Sequence, residues 1–514
     1  MNTSEWISRK VSKLLPAPGS RTRKFAGIAE RVQAEKPAGS ETTSVAEDAS
    51  THSASTTHNP RQPLGTRSTR ERLAGTLRRK PEALSPRELR HLLTELQAMI
   101  DERVSEVEGG RRAKAVAQWY GAATPAQRRD CWLLMSEQFA ANPQVIKMAQ
   151  SRFAAAVGTP EETVAEVIYR RATVSPRRRL LQRFSVFPEG VRFMVDMRAE
   201  MLPALRGDPS LKALDVEMEY MFSTWFDVGF LELRRISWDS PASLIEKLIR
   251  YEAVHDIRSW ADVKNRLDSD RRCYGFFHPR LPDEPLIFVE VALLHEIAPG
   301  ITPLLDESAA IEDLNKATTA IFYSISNTQV GLRGVSFGDS LIKRVVETLK
   351  AEFPRLKTFA TLSPIPGFRG WLTKHAAEIL GTLGEKVRVE LEQAMGVGPV
   401  TAPQLLAGAE AALDLDNKSA LRLLLMRCAA RYLGQELAAG KPLDPVARFH
   451  LGNGARVERL NWAGDPSAKG LKQSYGLMVN YLYDLKRLDR HRAMMSQGKI
   501  PVSSSVRDLI KQLD

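Results

Sequence analysis

The chain has 514 residues, of which 43% are hydrophobic and 26% are charged, as is usual for a globular protein of two or three domains. It contains no run of eighteen apolar residues, so a membrane-spanning helix is not expected. The three cysteines are odd in number and far apart, which argues against a disulfide scaffold or a cysteine zinc site. The net charge of +12 is compatible with a nucleic acid partner and equally with a polyanionic small molecule.

Residues 1–75 are predicted to form a disordered tail. The first thirty residues are basic, and residues 38–65 are rich in Ser, Thr, Ala and Pro with almost no large apolar side chains. Such a stretch buries too little surface to offset the entropy that ordering would cost. The basic start is compatible with a transit peptide for the mitochondrial matrix. A flexible basic tail on a cytoplasmic protein is the preferred interpretation, and the unpaired cysteines fit a reducing compartment.

Residues 76–222 are predicted to form an all-helical bundle. Ser85-Pro86, Thr124-Pro125 and Thr159-Pro160 each place a capping hydroxyl before a proline at the first helical position. Apolar residues recur at helical spacing after the first of these starts, at Leu89, Leu92, Leu93, Leu96 and Ile100.

Residues 223–514 are predicted to form a mixed α/β domain. Residues 229–236, 273–277, 286–294 and 319–325 are candidate strands, and a helix is predicted to start at Ser240-Pro241. The proline-rich turn over 278–285 predicts that the second and third of these strands form an antiparallel hairpin.

The segment after the strand at 319–325 is predicted to bind an anion. Glycines at 331, 334 and 338 separate that strand from a helix predicted over 339–353. Glycine lets backbone N–H groups approach a phosphate closely, and the helix N-terminus adds free donors. The spacing is neither a Walker loop nor a clean GxGxxG. It resembles the pyrophosphate loop of the GNAT acyltransferase superfamily, which holds coenzyme A, and a purely structural glycine turn is the alternative.

Two further segments carry candidate catalytic side chains. A strand predicted over 356–362 ends in Ser363-Pro364-Ile365-Pro366-Gly367-Phe368, a rigid loop at the edge where α/β sheets place reactive groups. A serine before a proline is ordinarily a turn former. His450 lies within residues 449–455, where the glycine and asparagine that follow predict a tight turn presenting its ring. A structural histidine is the alternative.

Together these segments resemble the malonyl-CoA decarboxylases. The resemblance rests on residues 322–326 with the glycine loop, 362–368, 449–455 and 461–481, and it extends over roughly 80–490. It implies a helical domain that mediates homo-oligomerisation, as a dimer or tetramer, followed by a GNAT-like catalytic domain. It implies that Ser363 and His450 are catalytic. It implies that the substrate malonyl-CoA is bound by Arg333, Gly334, Val335, Ser336, Phe337, Gly338 and Asp339.

The reaction that this resemblance implies needs no cofactor, because the substrate thioester takes the electrons left by carbon dioxide. No metal site is expected, since His295-Glu296 lacks the second histidine of an HExxH motif. His450 is the predicted proton donor. Ser363 is predicted to act without covalent bonding, because no GxSxG elbow surrounds it. Candidates for holding the free carboxylate are Arg369, Asn461 and Tyr481.

Two rival functions fit part of the sequence. An acyltransferase on the same fold would keep the glycine loop but would not need the segments around Ser363 and His450. A basic nucleic-acid-binding protein would explain the net charge but not the segments after residue 320. We therefore expect neither a nucleic acid nor a membrane partner.

Overall fold

The first described helices of this computed structural model confirm two of the three predicted helix starts. The structure describes residues 83–335 and 341–512, so the predicted tail of residues 1–75 lies outside the described residues. Ser85 and Thr124 each cap a helix and form capping boxes with Glu88 and Gln127. The helix predicted to start at Thr159-Pro160 instead begins at Glu162. The Thr159 hydroxyl donates to the carbonyl of Ala156 and so closes the preceding turn.

The first part of the described chain is helical. Its helices are α1 (Pro86–Ile100), α2 (Glu106–Ala122), α3 (Pro125–Glu137), α4 (Pro143–Ala156), α5 (Glu162–Thr173), α6 (Pro176–Phe184), α7 (Gly190–Met201) and α8 (Lys212–Trp225).

The second part contains a mixed sheet. Its strands are β1 (Glu232–Ile236), β2 (Arg271–His278), β3 (Leu281–Leu294), β4 (Thr319–Asn327), β5 (Thr358–Thr361), β6 (Ser363–Pro364), β9 (Arg456–Asn461) and β10 (Met478–Leu482), and a separate small pair is formed by β7 (Leu437–Ala438) and β8 (Lys441–Pro442). The order is β1-β2-β3-β4-β5-β10-β6, with β9 also paired to β10. Only β4 and β5 pair in parallel among the described strands of this sheet.

Helices surround this sheet. They are α9 (Ala242–Tyr251), α10 (Trp260–Arg266), α11 (Thr302–Leu305), α12 (Leu341–Glu352), α13 (Phe368–Thr382), α14 (Glu385–Met395), α15 (Ala402–Glu410), α16 (Ala420–Gly434), α17 (Pro445–Gly452), α18 (Ala468–Ser474), α19 (Leu488–Ser496) and α20 (Ser504–Lys511). One continuous apolar core contains Leu96 of α1 and Val345 of α12, so the helical and sheet parts pack together.

The predicted hairpin is confirmed, with a shorter turn than expected. His278 already pairs with Leu281, so the strands extend into the segment that was predicted to be the turn. The first strand begins at Glu232 rather than residue 229, because residues 228–230 form a 3₁₀ turn capped by Asp227. The predicted order of a helical region followed by a mixed α/β domain is confirmed.

The sheet opens between β4 and β6. The parallel pairing of β4 with β5 ends at Phe322 and Thr361, whereas the continuation of β5 turns away and pairs with β10. Ser363-Pro364 is therefore a short strand, and its prediction as a loop was wrong because Val479 and Met478 supply pairing partners. The remaining residues of β4 and the serine strand form the two sides of a cleft.

Candidate active site

A cavity of about 240 Å³ lies in the opening between β4 and β6. We call it the acyl cavity. Its lining comes from the end of β4, from the serine strand, from α17 and from the loop after α9, and consists of Val254, Phe322, Tyr323, Ile325, Asn327, Leu362, Ser363, Pro364, Pro445, Val446, Phe449 and His450. The lining is mostly apolar, so the polar groups of Ser363 and His450 act in a medium of low dielectric constant.

The structure brings the two predicted catalytic residues together inside this cavity. The Oγ atom of Ser363 lies 3.2 Å from Nε2 of His450, although 87 positions separate the residues in sequence. The Ser363 hydroxyl donates to Oγ1 of Thr361 at 2.9 Å. With that hydrogen used, the serine oxygen accepts from the N–H at Nε2 of His450, and this assignment fixes the tautomer of the ring.

The other ring nitrogen of His450 has a partner as well. Nδ1 lies 2.8 Å from the Tyr483 hydroxyl, which donates to it in the tautomer assigned above. The ring of Tyr481 stacks on the imidazole at 4.7 Å between centroids. Tyr481 lies in β10 and Tyr483 directly follows that strand, so the two side chains, two positions apart, point to the same side.

Burial decides the charge of His450. The side chain is 4% exposed, and this desolvation lowers the pKa of the imidazole to about 3. The ring is therefore neutral at physiological pH. Burial also raises the pKa of the Tyr483 hydroxyl, which consequently keeps its proton.

Helix α17 positions His450, and the predicted tight turn was wrong. His450 lies in the last turn of α17, whereas the turn itself follows at Asn453 and Gly454, where glycine has a φ of 87°. Pro445 occupies the first helical position and Asp444 caps the helix, a start signal that the sequence contains.

Asp444 links the histidine helix to the segment after the serine. Its carboxylate accepts from the backbone N–H groups of Val446 and Ala447 at 2.9 and 3.0 Å. It also accepts from the backbone N–H of Gly367 at 3.4 Å and from the Tyr432 hydroxyl at 3.2 Å. One buried carboxylate thus ties together the two segments that carry the catalytic candidates.

The predicted anion loop continues directly from β4, whose last residue, Asn327, lines the acyl cavity. Val330–Leu332 form a 3₁₀ turn, and Gly334 has a φ of 83°, a conformation that suits glycine. Arg333 and Gly334 are exposed and Val335 is buried. The other predicted substrate-binding residues, Ser336, Phe337, Gly338 and Asp339, lie outside the described residues.

The three carboxylate candidates do not line the acyl cavity. Arg369 pairs with Glu410 and lies over the ring of Tyr475, and the side-chain amide of Asn461 donates to Asn480. Tyr481 packs its ring on His450. Three further residues of the site, Thr361, Asp444 and Tyr483, were not predicted from the sequence. Side chains two positions apart on a strand lie on the same face of the sheet. Thr361 could therefore have been predicted as a neighbour of Ser363, and Tyr483 as a neighbour of Tyr481.

A second cavity, of about 720 Å³, shares Val254 with the acyl cavity. Its lining contains five acidic residues together with the basic residues Arg258 and Lys469, and the acidic ones are Asp256, Asp262, Asp306, Glu307 and Asp465. The carboxylate of Glu252 holds the loop that contains Val254 through hydrogen bonds. That carboxylate accepts from the N–H groups of Val254 and His255 and from the hydroxyls of Ser324 and Ser326. Val254 therefore lies between the second cavity and the acyl cavity, in a loop that hydrogen bonds to Glu252 hold in place.

Two further findings concern other classes of site. Within residues 83–335 and 341–512, no group of three or more His, Cys, Asp or Glu side chains is arranged to hold a metal ion. None of the helices in the same ranges is long and apolar enough to cross a membrane.

Comparison with known families and proteins matches both parts of the chain. The model of the malonyl-CoA decarboxylase C-terminal domain matches residues 229–514, and that of the N-terminal domain matches residues 139–226. The mitochondrial malonyl-CoA decarboxylase of Rattus norvegicus is 37% identical over 430 residues, covering 78% of this chain and 86% of the rat protein. That of Anser anser anser is 39% identical over 357 residues, covering 66% of this chain and 71% of the goose protein.

Solved structures give the same result. The crystal structure of the malonyl-CoA decarboxylase from Rhodopseudomonas palustris aligns with a TM-score of 0.70 at 40% identity and covers 82% of this chain and 99% of that chain. The enzyme from Cupriavidus metallidurans aligns with a TM-score of 0.66 at 43% identity and covers 82% of this chain and 100% of that chain.

Proposed function

The chain belongs to the malonyl-CoA decarboxylase family and is a carboxy-lyase, and on this premise we propose that Ser363 and His450 carry out its chemistry. The reaction converts malonyl-CoA to acetyl-CoA and carbon dioxide. The observation that carries the proposal is the 3.2 Å contact between Ser363 Oγ and His450 Nε2 in the acyl cavity.

The substrate supplies most of the chemistry. Loss of carbon dioxide leaves an enolate whose charge lies on the thioester oxygen, so the proposed mechanism uses no metal and no organic cofactor. The protein has to hold that oxygen with preorganised donors and then protonate the methylene carbon. Each well-placed donor contributes about 2.7–4 kcal/mol, and a positioned acid contributes roughly 10²–10⁴-fold.

His450 is the proposed proton donor. His450 lines the cavity, and burial keeps its ring neutral. A substrate carboxylate or an enolate within about 4–6 Å of the ring favours the imidazolium, because an opposite charge raises the pKa of histidine. Binding of the anionic substrate would therefore load His450 with the proton that the product needs.

Ser363 acts without forming an acyl intermediate in this proposal. Decarboxylation needs no nucleophile, and the serine hydroxyl is held between Thr361 and His450. From that position it can hydrogen-bond the substrate carboxylate or pass a proton from His450. Coenzyme A itself is proposed to bind at Arg333–Asp339. Support comes from Arg333 and Gly334, which are exposed and lie in the loop that follows β4. The last residue of β4, Asn327, lines the acyl cavity.

Turnover of malonyl-CoA without any acyl acceptor tests this function. We expect the purified chain to release carbon dioxide and acetyl-CoA, and an acyltransferase on the same fold would require an acceptor. His450→Ala and Ser363→Ala should abolish carbon dioxide release while leaving the affinity for free coenzyme A largely intact. His375→Ala is the matched control, because His375 is half-buried against Trp371 outside the cavity. Full activity of either catalytic variant would refute the assignment.

Homo-oligomerisation through the helical region is a second part of the proposal. Helices α4 and α5 pack against each other and present large apolar side chains to solvent, at Val145, Met148, Val164 and Val167. A second copy of this chain would cover them. Met148→Glu should lower the molar mass measured by light scattering to that of a smaller assembly. Val107→Glu, also at an exposed valine but on α2, should leave the mass unchanged.

The compartment stays a prediction. The sequence favours the cytoplasm, with the mitochondrial matrix as the alternative if the basic N-terminus is a transit peptide, and the rat and goose proteins carry the word mitochondrial in their names. Fusing residues 1–75 to a fluorescent reporter separates the two compartments by microscopy.

A further inference from the structure

One face of α7, in the helical region, packs on the glycine loop of the sheet domain. Arg192, Val195 and Arg198 follow one another at intervals of three and so lie on one side of the helix. Nη1 of Arg192 donates to Oε1 of Gln329 at 3.2 Å. A Cβ atom added to Gly331 would lie 1.9 Å from the carbonyl oxygen of Val195. The loop therefore approaches the helix so closely that only glycine fits.

Arg198 makes the strongest of these contacts. Its side chain is 2% exposed, and Nη1 donates to the carbonyl oxygens of Gly331 at 2.7 Å and of Arg333 at 2.9 Å. Nε of the same guanidinium donates to Oδ1 of Asp215 on α8 at 2.9 Å. Lys212 reaches the other oxygen of that carboxylate at 2.8 Å. Charge-assisted bonds of this kind are roughly twice as strong as neutral ones, so the loop is firmly held.

The hydrogen bond from Arg198 to the Arg333 carbonyl determines the direction in which the next backbone N–H, that of Gly334, points. In a trans peptide the N–H points opposite to the carbonyl of the preceding residue. Because Arg198 holds the Arg333 carbonyl towards the helical region, the N–H of Gly334 points away from it. Gly334 is exposed there and has a φ of 83°. An outward N–H beside an exposed arginine is a suitable donor for a phosphate oxygen.

We propose that Arg198 is a positioning residue for substrate binding, which keeps the coenzyme A loop in its binding conformation from behind. This inference rests on the proposed function of residues 333–339. It gives the helical region a role in binding malonyl-CoA besides assembly. Arg198 does not line the acyl cavity, so its effect falls on the affinity for the coenzyme A portion rather than on the chemical step.

Arg198→Lys tests the proposal, because lysine keeps the positive charge but has only one side-chain nitrogen, so it cannot bind Asp215 and the two loop carbonyl groups through separate nitrogens as Arg198 does. We expect KM for malonyl-CoA and Kd for free coenzyme A to rise about tenfold, as expected for the loss of a charge-assisted hydrogen bond. We expect kcat to stay within about twofold of the wild-type value. Arg177→Lys is the control, since Arg177 is a buried arginine of the same region that donates to the carbonyl of Ser136 and does not touch the loop.

Gly331→Ala disturbs the same contact from the loop side and removes no charge, so it replaces Arg198→Lys if that variant fails to fold. Amide hydrogen exchange over residues 327–335 should become faster in both variants and remain unchanged in Arg177→Lys. Exchange and coenzyme A affinity that match the control would overturn the proposal, as would a loss of kcat with KM unchanged. A wild-type chain without decarboxylase activity would refute the proposed function alone, because exchange and coenzyme A binding still report on Arg198.

Discussion

The acyl cavity and the glycine loop lie at the same end of β4, but different kinds of contact hold them. In the cavity, hydrogen bonds between side chains fix the site. Thr361 is bonded to Ser363, Tyr483 is bonded to His450, and all four side chains are buried. At the loop, the positioned groups are backbone amides, and a helix from the other part of the chain holds their carbonyl oxygens through Arg198.

Under the proposed function, this difference separates the residues that carry out the chemistry from those that bind the substrate. A proton donor has to be placed to within a fraction of an ångström, and buried side-chain networks achieve that. A phosphate group can be held by N–H groups on any suitable turn, provided that the turn is preorganised. Substitutions in the cavity should therefore act mainly on kcat, and substitutions behind the loop should act mainly on KM.

The largest effect is expected from the catalytic pair. Ser363→Ala and His450→Ala should each lower kcat by about 10²–10⁴-fold, because in the proposed mechanism both remove the same proton transfer to the enolate. The double variant should be no slower than the slower single variant, since residues that act as a unit are not additive. Steady-state rates of carbon dioxide release measure all three. Losses that multiply in the double variant would show that the two residues act independently.

A smaller effect is expected at the wall between the two cavities. Val254→Ala should enlarge the acyl cavity and raise kcat/KM for methylmalonyl-CoA relative to malonyl-CoA by about tenfold, the usual effect of room for one methyl group. Ile257→Ala, in the same loop but outside both linings, is the control and should leave the selectivity unchanged. Unaltered selectivity in Val254→Ala would mean that another residue limits the acyl group.

The smallest effect is expected from the hydroxyl that orients His450. Tyr483→Phe should lower kcat about fivefold, as one lost hydrogen bond predicts, while KM stays unchanged. Tyr274→Phe is the matched control, because the Tyr274 hydroxyl is buried without a hydrogen-bond partner among the residues that the structure describes. Equal kcat values for the two variants would remove Tyr483 from the mechanism.

The sequence predicted the parts of this site that depend on local signals. Capping residues and apolar spacing located the helices that begin after Ser85 and Thr124, and short apolar segments located β2, β3 and β4. Motif resemblance selected Ser363 and His450, and the structure places their side chains in contact.

Long-range contacts could not be predicted from one sequence. Ser363 was expected in a loop because nothing local shows that β10, more than a hundred residues later, pairs with it. The contact of Arg198 with the carbonyl of Arg333 spans 135 positions, and a buried arginine in a helical region has no local signature of a binding role. The turn predicted at His450 failed for a local reason, because the proline after Asp444 marks a helix start that extends through the histidine.

The most direct test measures saturation curves for malonyl-CoA with His450→Ala and Arg198→Lys side by side against the wild-type chain. The account predicts that His450→Ala loses kcat by about 10²–10⁴-fold with little change in KM, and that Arg198→Lys raises KM about tenfold with little change in kcat. Wild-type kcat in His450→Ala, or the same parameter changing in both variants, would contradict it.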